Sequence, residues 1–240
     1  MWNVCDGDIP PVRIPRERKD VPPGCVVDRF PGLVVQREKL DQLRIRHLDI
    51  FRETLMAADG ALFLPDFIIA AMLQRSYGIV DALIDAVDNY NIHAAAPLLR
   101  LQLDNLFRAH YFASAPDLGG LVERLLAGEE LRRIKDIEGR PLNDYRLKQL
   151  AAGAHGWALP VYDNTSGWVH LSQSHIAVAV QTSDSSELFM GIPLRPSVIP
   201  ESLWQEIYNA AIQSTEEFFS YVRGWSSRKG MPPGEVRSLD

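Results

Sequence analysis

The stretch FIIAAMLQRSYGIVDALIDAVDNYNIHAAAPLLRLQLDNLFRAHYF, from Phe67 to Phe112, decides the fold. Its first half is apolar nearly all round, as a central helix is, and runs to about Asp88. Pro65 suits the first turn of that helix and Asp66 suits its dipole. Asn89-Tyr90-Asn91 then breaks the period. The second half resumes it, with Pro97 either near the first turns or producing a kink. Two long helices joined by so short a link form an antiparallel hairpin. If the turn lies near Tyr90, residues whose numbers sum to about 181 stand at one height, so Asp81 is level with Arg100 and Asp88 with His93.

Outward from this hairpin, the helical period also holds from Gln36 to about Met56. Leu40, Leu43, His47, Ile50 and Thr54 form its apolar stripe, while Arg37, Asp41, Arg44 and Arg52 lie largely outside it. A histidine on such a stripe is expected to be buried and hydrogen-bonded. Residues 1–33 read as an extended Pro-rich arm. Residues 116–156 hold two or three short helices, and there Arg132, Arg133, Lys135 and Arg140 interleave with acids as a solvated face. Pro160 to about Gln173 reads as helix despite the weak formers in NTSG. IAVAVQT and LFMGIPL, flanking SDSSE, read as two short strands. A last helix runs from near Pro200 to about Arg223, and residues 225–240 read as a flexible tail. The expected fold is therefore mainly α: one helical bundle over 34–224 with a small β-hairpin near the C-terminal third.

Composition excludes several classes. At 46% hydrophobic and 23% charged residues, the 240-residue chain is of ordinary globular type. Its net charge of −6 gives no electrostatic footprint for nucleic acid or an anionic membrane. The start, MWNVCDGDIPPVR, is unlike a signal peptide, and no uninterrupted apolar stretch reaches the ~18 residues of a membrane span, so the chain reads as cytoplasmic. Cys5 and Cys25 read as two incidental reduced thiols, a disulfide or metal clip being the alternative. P-loop, dinucleotide, zincin and nucleophile-elbow motifs are absent. Asp81, Asp85 and Asp88 share a helix face, but the Glu-x-x-His of a di-metal bundle is missing, so they read as paired or solvated carboxylates with no metal and no cofactor.

One candidate site remains. Arg100 and Asp104 lie one turn apart on a largely inside helix, with Arg108 a turn further. Tyr162, Ser166 and His170 are spaced by four and form one polar stripe, and Gly167 beside them permits a close approach. Joined across the bundle, the two segments give a cationic anchor, hydroxyls and one titratable imidazole. A structural ion-pair network and ordinary helix packing account for the same residues.

LLRLQLDNLFRAHYF and YDNTSGWVHLS resemble the R-x-x-x-E/D and Y-x-x-x-S-x-x-x-H segments of a broad group of bacterial helical proteins. That resemblance implies a binding or interaction module linked to stress or phage defence. More distantly, a polar residue leading to His in a helical bundle is similar to the HEPN nucleases. Asn164 to His170 lacks their Arg, so the metal-independent ribonuclease this implies needs Arg100 to stabilise phosphate and His170 to transfer protons. The leading expectation is a binding module for a protein or a small polar ligand. Membrane is excluded, and nucleic acid enters only under the ribonuclease reading. A structural oligomerisation domain is the third reading, and a homo-oligomer is allowed throughout.

Overall fold

The computed structural model describes residues 17–182, 188–193, 195–196 and 198–231. The fold is all-α in character. The predicted hairpin is α3 (Leu64–Asp88) and α4 (Ile92–Ser114). Pro65 opens the first, and the Asn91 side chain caps the second by accepting from the Ala94 N–H at 3.2 Å. Tyr90 supplies the turn with a left-handed backbone (φ 55°), its hydroxyl donating to the Cys25 carbonyl at 3.0 Å. The register is close to the expected one: Arg75 Nη1 donates to Asn105 at 3.2 Å and Ser76 bonds Gln102. What differs is azimuth. Asp81 and Asp88 point toward α2 (Val34–Met56) and not toward α4, so neither meets Arg100 or His93.

Around the hairpin, α4 packs on the long α9 (Glu201–Arg228), on α6 (Asp144–Ala151) and on α7 (Ala158–Val169). Helix α2 packs on α3 and α9, and α5 (Leu118–Leu126) lies against α3. The core is built of Leu83, Ile84, Leu99, Leu103, Phe107, Trp204, Tyr208 and Phe218, each large side chain contributing about 1.5–3 kcal/mol by leaving water. One buried polar chain crosses four helices. His47 Nδ1 meets the Leu43 carbonyl at 2.8 Å, and His47 Nε2 meets Ser76 Oγ at 2.8 Å. Gln102 bonds Ser76 and Thr215. Burial pushes the His47 imidazole down to about 4, so it stays neutral in this chain, as its place on the α2 stripe implies.

Several boundaries are corrected. Arg37, Asp41 and Arg44 are buried, not outside the α2 stripe. Their charges are matched: Arg37 grips the sequence-remote Asp88 with Nη2 at 2.7 Å, and Arg44 holds Asp41, one turn earlier on α2, at 2.7 Å. Lys19 pairs with Asp81 and Asp85, so Asp81, Asp85 and Asp88 are all paired. The second half of the expected arm belongs to the core, because the short α1 (Val26–Arg29) buries Val26 and Val27 beside Cys25 and Leu33. Residues 1–16 lie outside the described residues.

The tail boundary moves as well. Helix α9 continues past Arg223, Trp225 Nε1 donates to Asp66 at 2.7 Å, and the fully buried Lys229 pairs with Asp66 at 3.0 Å. Residues 232–240 lie outside the described residues. The hairpin expected after α7 is not a layer of the architecture. Ile176–Ala179, read as strand, end α8 (Gln173–Ala179), which Ser172 caps. Only Val180–Thr182 (β1) pairs antiparallel with Leu188–Met190 (β2), and the SDSSE connection lies outside the described residues. Helix α3 is long and apolar enough to cross a membrane by length and composition, with a mean hydropathy of 1.4 over its most apolar window, although Gln74, Arg75, Asp81 and Asp85 interrupt its apolar run.

Candidate functional site

The polar seam between α4 and α7 contains four of the five predicted residues. Arg100 donates from Nη1 to Ser166 Oγ at 2.5 Å and from Nη2 to the Tyr162 hydroxyl. Its guanidinium carbon lies 3.4 Å from the centroid of the Tyr162 ring, a cation–π contact. The Tyr162 hydroxyl in turn donates to Asp104 Oδ1 at 3.1 Å. Arg100 Nε stands 4.0 Å from that carboxylate, outside hydrogen-bond reach, so Arg100 is hydrogen-bonded to Asp104 only through Tyr162. Asp81, expected level with Arg100 along the hairpin, faces Lys19 and Arg44.

Electrostatics explain why the seam holds. Burial pushes the Asp104 carboxyl up, and the Arg108 and Arg100 charges oppose that shift. Burial and the Asp104 charge push the Tyr162 hydroxyl far up, so it acts as a neutral donor. Ser166 Oγ gives its proton to the Tyr162 carbonyl at 2.8 Å and keeps its lone pairs for Arg100. The donors and acceptors are thus turned on one another, with Arg100 Nε buried and unbonded. The arrangement can lock α4 to α7.

His170 is not part of it. Helix α7 ends at Val169, and His170 is exposed with an extended backbone (φ −109°, ψ 147°). The cause is local: Ser172 Oγ donates to the Gly167 carbonyl at 2.6 Å, folding the chain back. A Cβ at Gly167 would lie 3.3 Å from Ser172 Oγ, so this glycine admits the returning chain itself. Thr165 and Ser166 bond carbonyls one turn back, which accounts for the weak helix formers in NTSG.

A second cluster joins α4, the turn after α6 and α9. The Tyr221 hydroxyl lies 2.7 Å from His155 Nε2 and 2.8 Å from His110 Nδ1. His155 Nδ1 meets Glu217 Oε2 at 2.6 Å, and Trp157 Nε1 and Gln213 Nε2 both donate to that carboxylate. Proton counting constrains the triangle. An ionised Glu217 only accepts, so His155 Nδ1 carries hydrogen, and Tyr221 owns one proton for two imidazole contacts. Filling both contacts requires one imidazole to donate to Tyr221. With both rings neutral, His110 is that donor, from Nδ1, and His155 Nε2 accepts from the Tyr221 hydroxyl. Burial and the neighbouring His155 push His110 down, keeping it neutral. Burial and the Glu217 charge push Tyr221 up, keeping it a phenol.

Beyond its hydroxyl, Tyr221 also lines a cavity of about 250 Å³ between α3, α4 and α9. Ile69, Met72, Ala109, Phe112 and Trp225 form much of the remaining wall, and Arg228 is its one charged member. Among the described residues no His, Cys, Asp or Glu side chains converge in a group able to hold a metal ion. None of His110, His155, Glu217 and Tyr221 is anticipated from the sequence. The available signal is Glu217 and Tyr221 at i and i+4 on one helix face, with His155 in the glycine-flanked AAGAHGW turn. No family model, curated protein or solved structure matches the chain.

Proposed function

We propose that the chain is a helical binding module for a small apolar molecule carrying one carboxylate, held between α3, α4 and α9. The cavity carries this reading. At about 250 Å³ it exceeds the ~150 Å³ apolar cavity known to take up benzene. Its wall is preformed, because the imidazole triangle pins Tyr221 from behind. Arg228 supplies the charge preference: it is exposed, gives Nε–H to the Gly224 carbonyl at 2.9 Å, and makes no ion pair among the described residues. Its remaining guanidinium donors suit a carboxylate at the rim. The buried free thiol of Cys25 is in keeping with a cytoplasmic setting.

Octanoate and octanol, titrated against the full chain in thermal-shift and calorimetric assays, test the proposal. At a hundred times its dissociation constant a ligand adds about 2.7 kcal/mol, a rise of roughly 5–10 °C in Tm for a chain of this size. Arg228→Gln should weaken octanoate and spare octanol, and Ala113→Trp, which fills the cavity, should abolish both. No Tm rise with either compound, or a rise that survives Ala113→Trp, rejects the pocket.

A further inference from the structure

A different cavity, of about 270 Å³, opens between α4, α7, α8 and the N-terminal end of α9. Its floor is apolar, with Ala96 and Leu99 buried on α4 and Ile207 buried on α9. The cavity beside Tyr221 begins on α9 only at Phe218, and the helix rises ~16 Å from Ile207 to that residue. The two spaces are therefore separate.

One wall is the indole of Trp168, which is braced from behind. His93 meets its ring edge-on, with centroids 5.5 Å apart and planes at 71°, and His175 lies against it at 5.4 Å and 55°. The two imidazoles stack on each other at 5.3 Å. Side chains of α4, α7 and α8 thus fix one ring, and a wall already fixed loses little entropy when a ligand meets it. At the rim stands Glu206, exposed on α9 and the one charged member of the lining. Among the described residues its carboxylate makes no ion pair or hydrogen bond, and the Asn164 amide on the α7 side makes no hydrogen bond. Cations beside α7 are engaged elsewhere: Arg100 binds Ser166 and Tyr162, and Lys148 pairs with Asp163 at 2.5 Å.

We propose that this cavity binds a small aliphatic amine in its ammonium form, the alkyl stem on Leu99 and Ile207 and the ammonium between Glu206 and Trp168. An apolar hollow with a few convergent polar groups is the usual form of a small-molecule site. Charge selects the cation. The Glu206 carboxylate accepts a charge-assisted bond from an ammonium, Asn164 Oδ1 can accept a second, and Trp is the ring that attracts an ammonium most strongly. An anion would meet Glu206 with no cation on the wall to balance it. Size limits the stem: a ~150 Å³ cavity takes up benzene, so about 270 Å³ admits a chain of about four to six carbons with its head group.

Indole N–H resonances of the isotope-labelled full chain read the two cavities separately, Trp168 in this one and Trp225 in the other, each assigned by replacement with Phe. Near neutral pH an alkylamine is charged, as a Lys side chain is. n-Butylamine should shift the Trp168 resonance saturably, with a dissociation constant on the order of 1 mM for so small a ligand. n-Butanol and butyrate should bind there at least about tenfold more weakly. Glu206→Gln, on an exposed position that leaves the fold intact, should cost the amine about tenfold and leave the weak butanol shift unchanged. Glu206→Lys, which sets an ammonium of the chain's own at the rim, should abolish amine binding. No saturable Trp168 shift with n-butylamine, or a shift confined to Trp225, overturns the proposal. Equal affinity for n-butanol, or amine affinity that survives Glu206→Gln, overturns it as well.

Discussion

Replacing Arg100 by Ala asks whether the seam between α4 and α7 is a lock or a vacant anchor. The side chain is 16% exposed, and the substitution removes its bonds to Ser166 and Tyr162 together with the contact over the Tyr162 ring. A hydrogen bond from a charged donor contributes about 1.5–3 kcal/mol, and a desolvated cation–π contact about 2. Against this, the buried and unbonded Nε already costs about 1–3 kcal/mol, and that cost disappears with the side chain. Asp104 is not orphaned, because the Tyr162 hydroxyl still donates to it and Arg108 remains 3.7 Å away. The expected net loss is about 3 kcal/mol, or roughly 6–12 °C in Tm. Urea and thermal unfolding followed by circular dichroism measure it. A double-mutant cycle with Tyr162→Phe should show a coupling above about 1 kcal/mol. Melting within about 1 °C of wild type, without coupling, would show that the guanidinium does no structural work and that ligand binding must be sought at the seam.

Other expectations are independent of the seam. Lys229→Met leaves the Asp66 carboxylate buried with only the Trp225 and Phe63 N–H groups, and should cost about 3–5 kcal/mol in urea unfolding; a neutral effect would mean the α9 terminus is not docked. His47 gives a pH signature. Its imidazole is pushed down to about 4 when folded, so the unfolded chain binds the extra proton first. Stability is full above pH ~6.5 and falls by about 3 kcal/mol as pH drops to about 4, where the loss levels off. His47→Phe should remove that single-proton slope between pH 6.5 and 4, and an unchanged slope would clear His47 of it. His170→Ala should shift stability by less than about 0.5 kcal/mol, and neither it nor wild type should cleave RNA. RNA cleavage by wild type that is lost in folded His170→Ala restores the ribonuclease reading.

How much of this was legible depends on the distance over which each signal acts. The stripes of α2, α3 and α4 and the hairpin register come from periodicity, which is local and repeated over many residues. The partner of Asp81 was not legible, because height along a hairpin follows from numbering while azimuth follows from how α2 packs. Competing local signals account for two errors. Val178 and Val180 alternate with small residues as in a strand, but Ser172 and His175 make a helix start, and the cap prevails through Ala179. Gly224 reads as a stop, yet a helical glycine costs only about 1 kcal/mol, and Trp225, Ser226 and Lys229 make more than that in buried contacts.

The triangle at Tyr221 shows the opposite limit. Its members lie on α4, in a turn and on α9, and each has an innocuous local reading: His110 near a helix end, His155 between glycines, Glu217 on an amphipathic helix. What joins them is a count of protons, which exists only once three nitrogens and oxygens stand within 2.8 Å of one another's partners. A sequence carries the residue types for that count but not the contacts that force it. The buried site with the sharpest chemical constraint is therefore the one with the faintest local pattern, and the seam with the clearest pattern, Arg100 with Tyr162 and Ser166, uses its donors on its own helices.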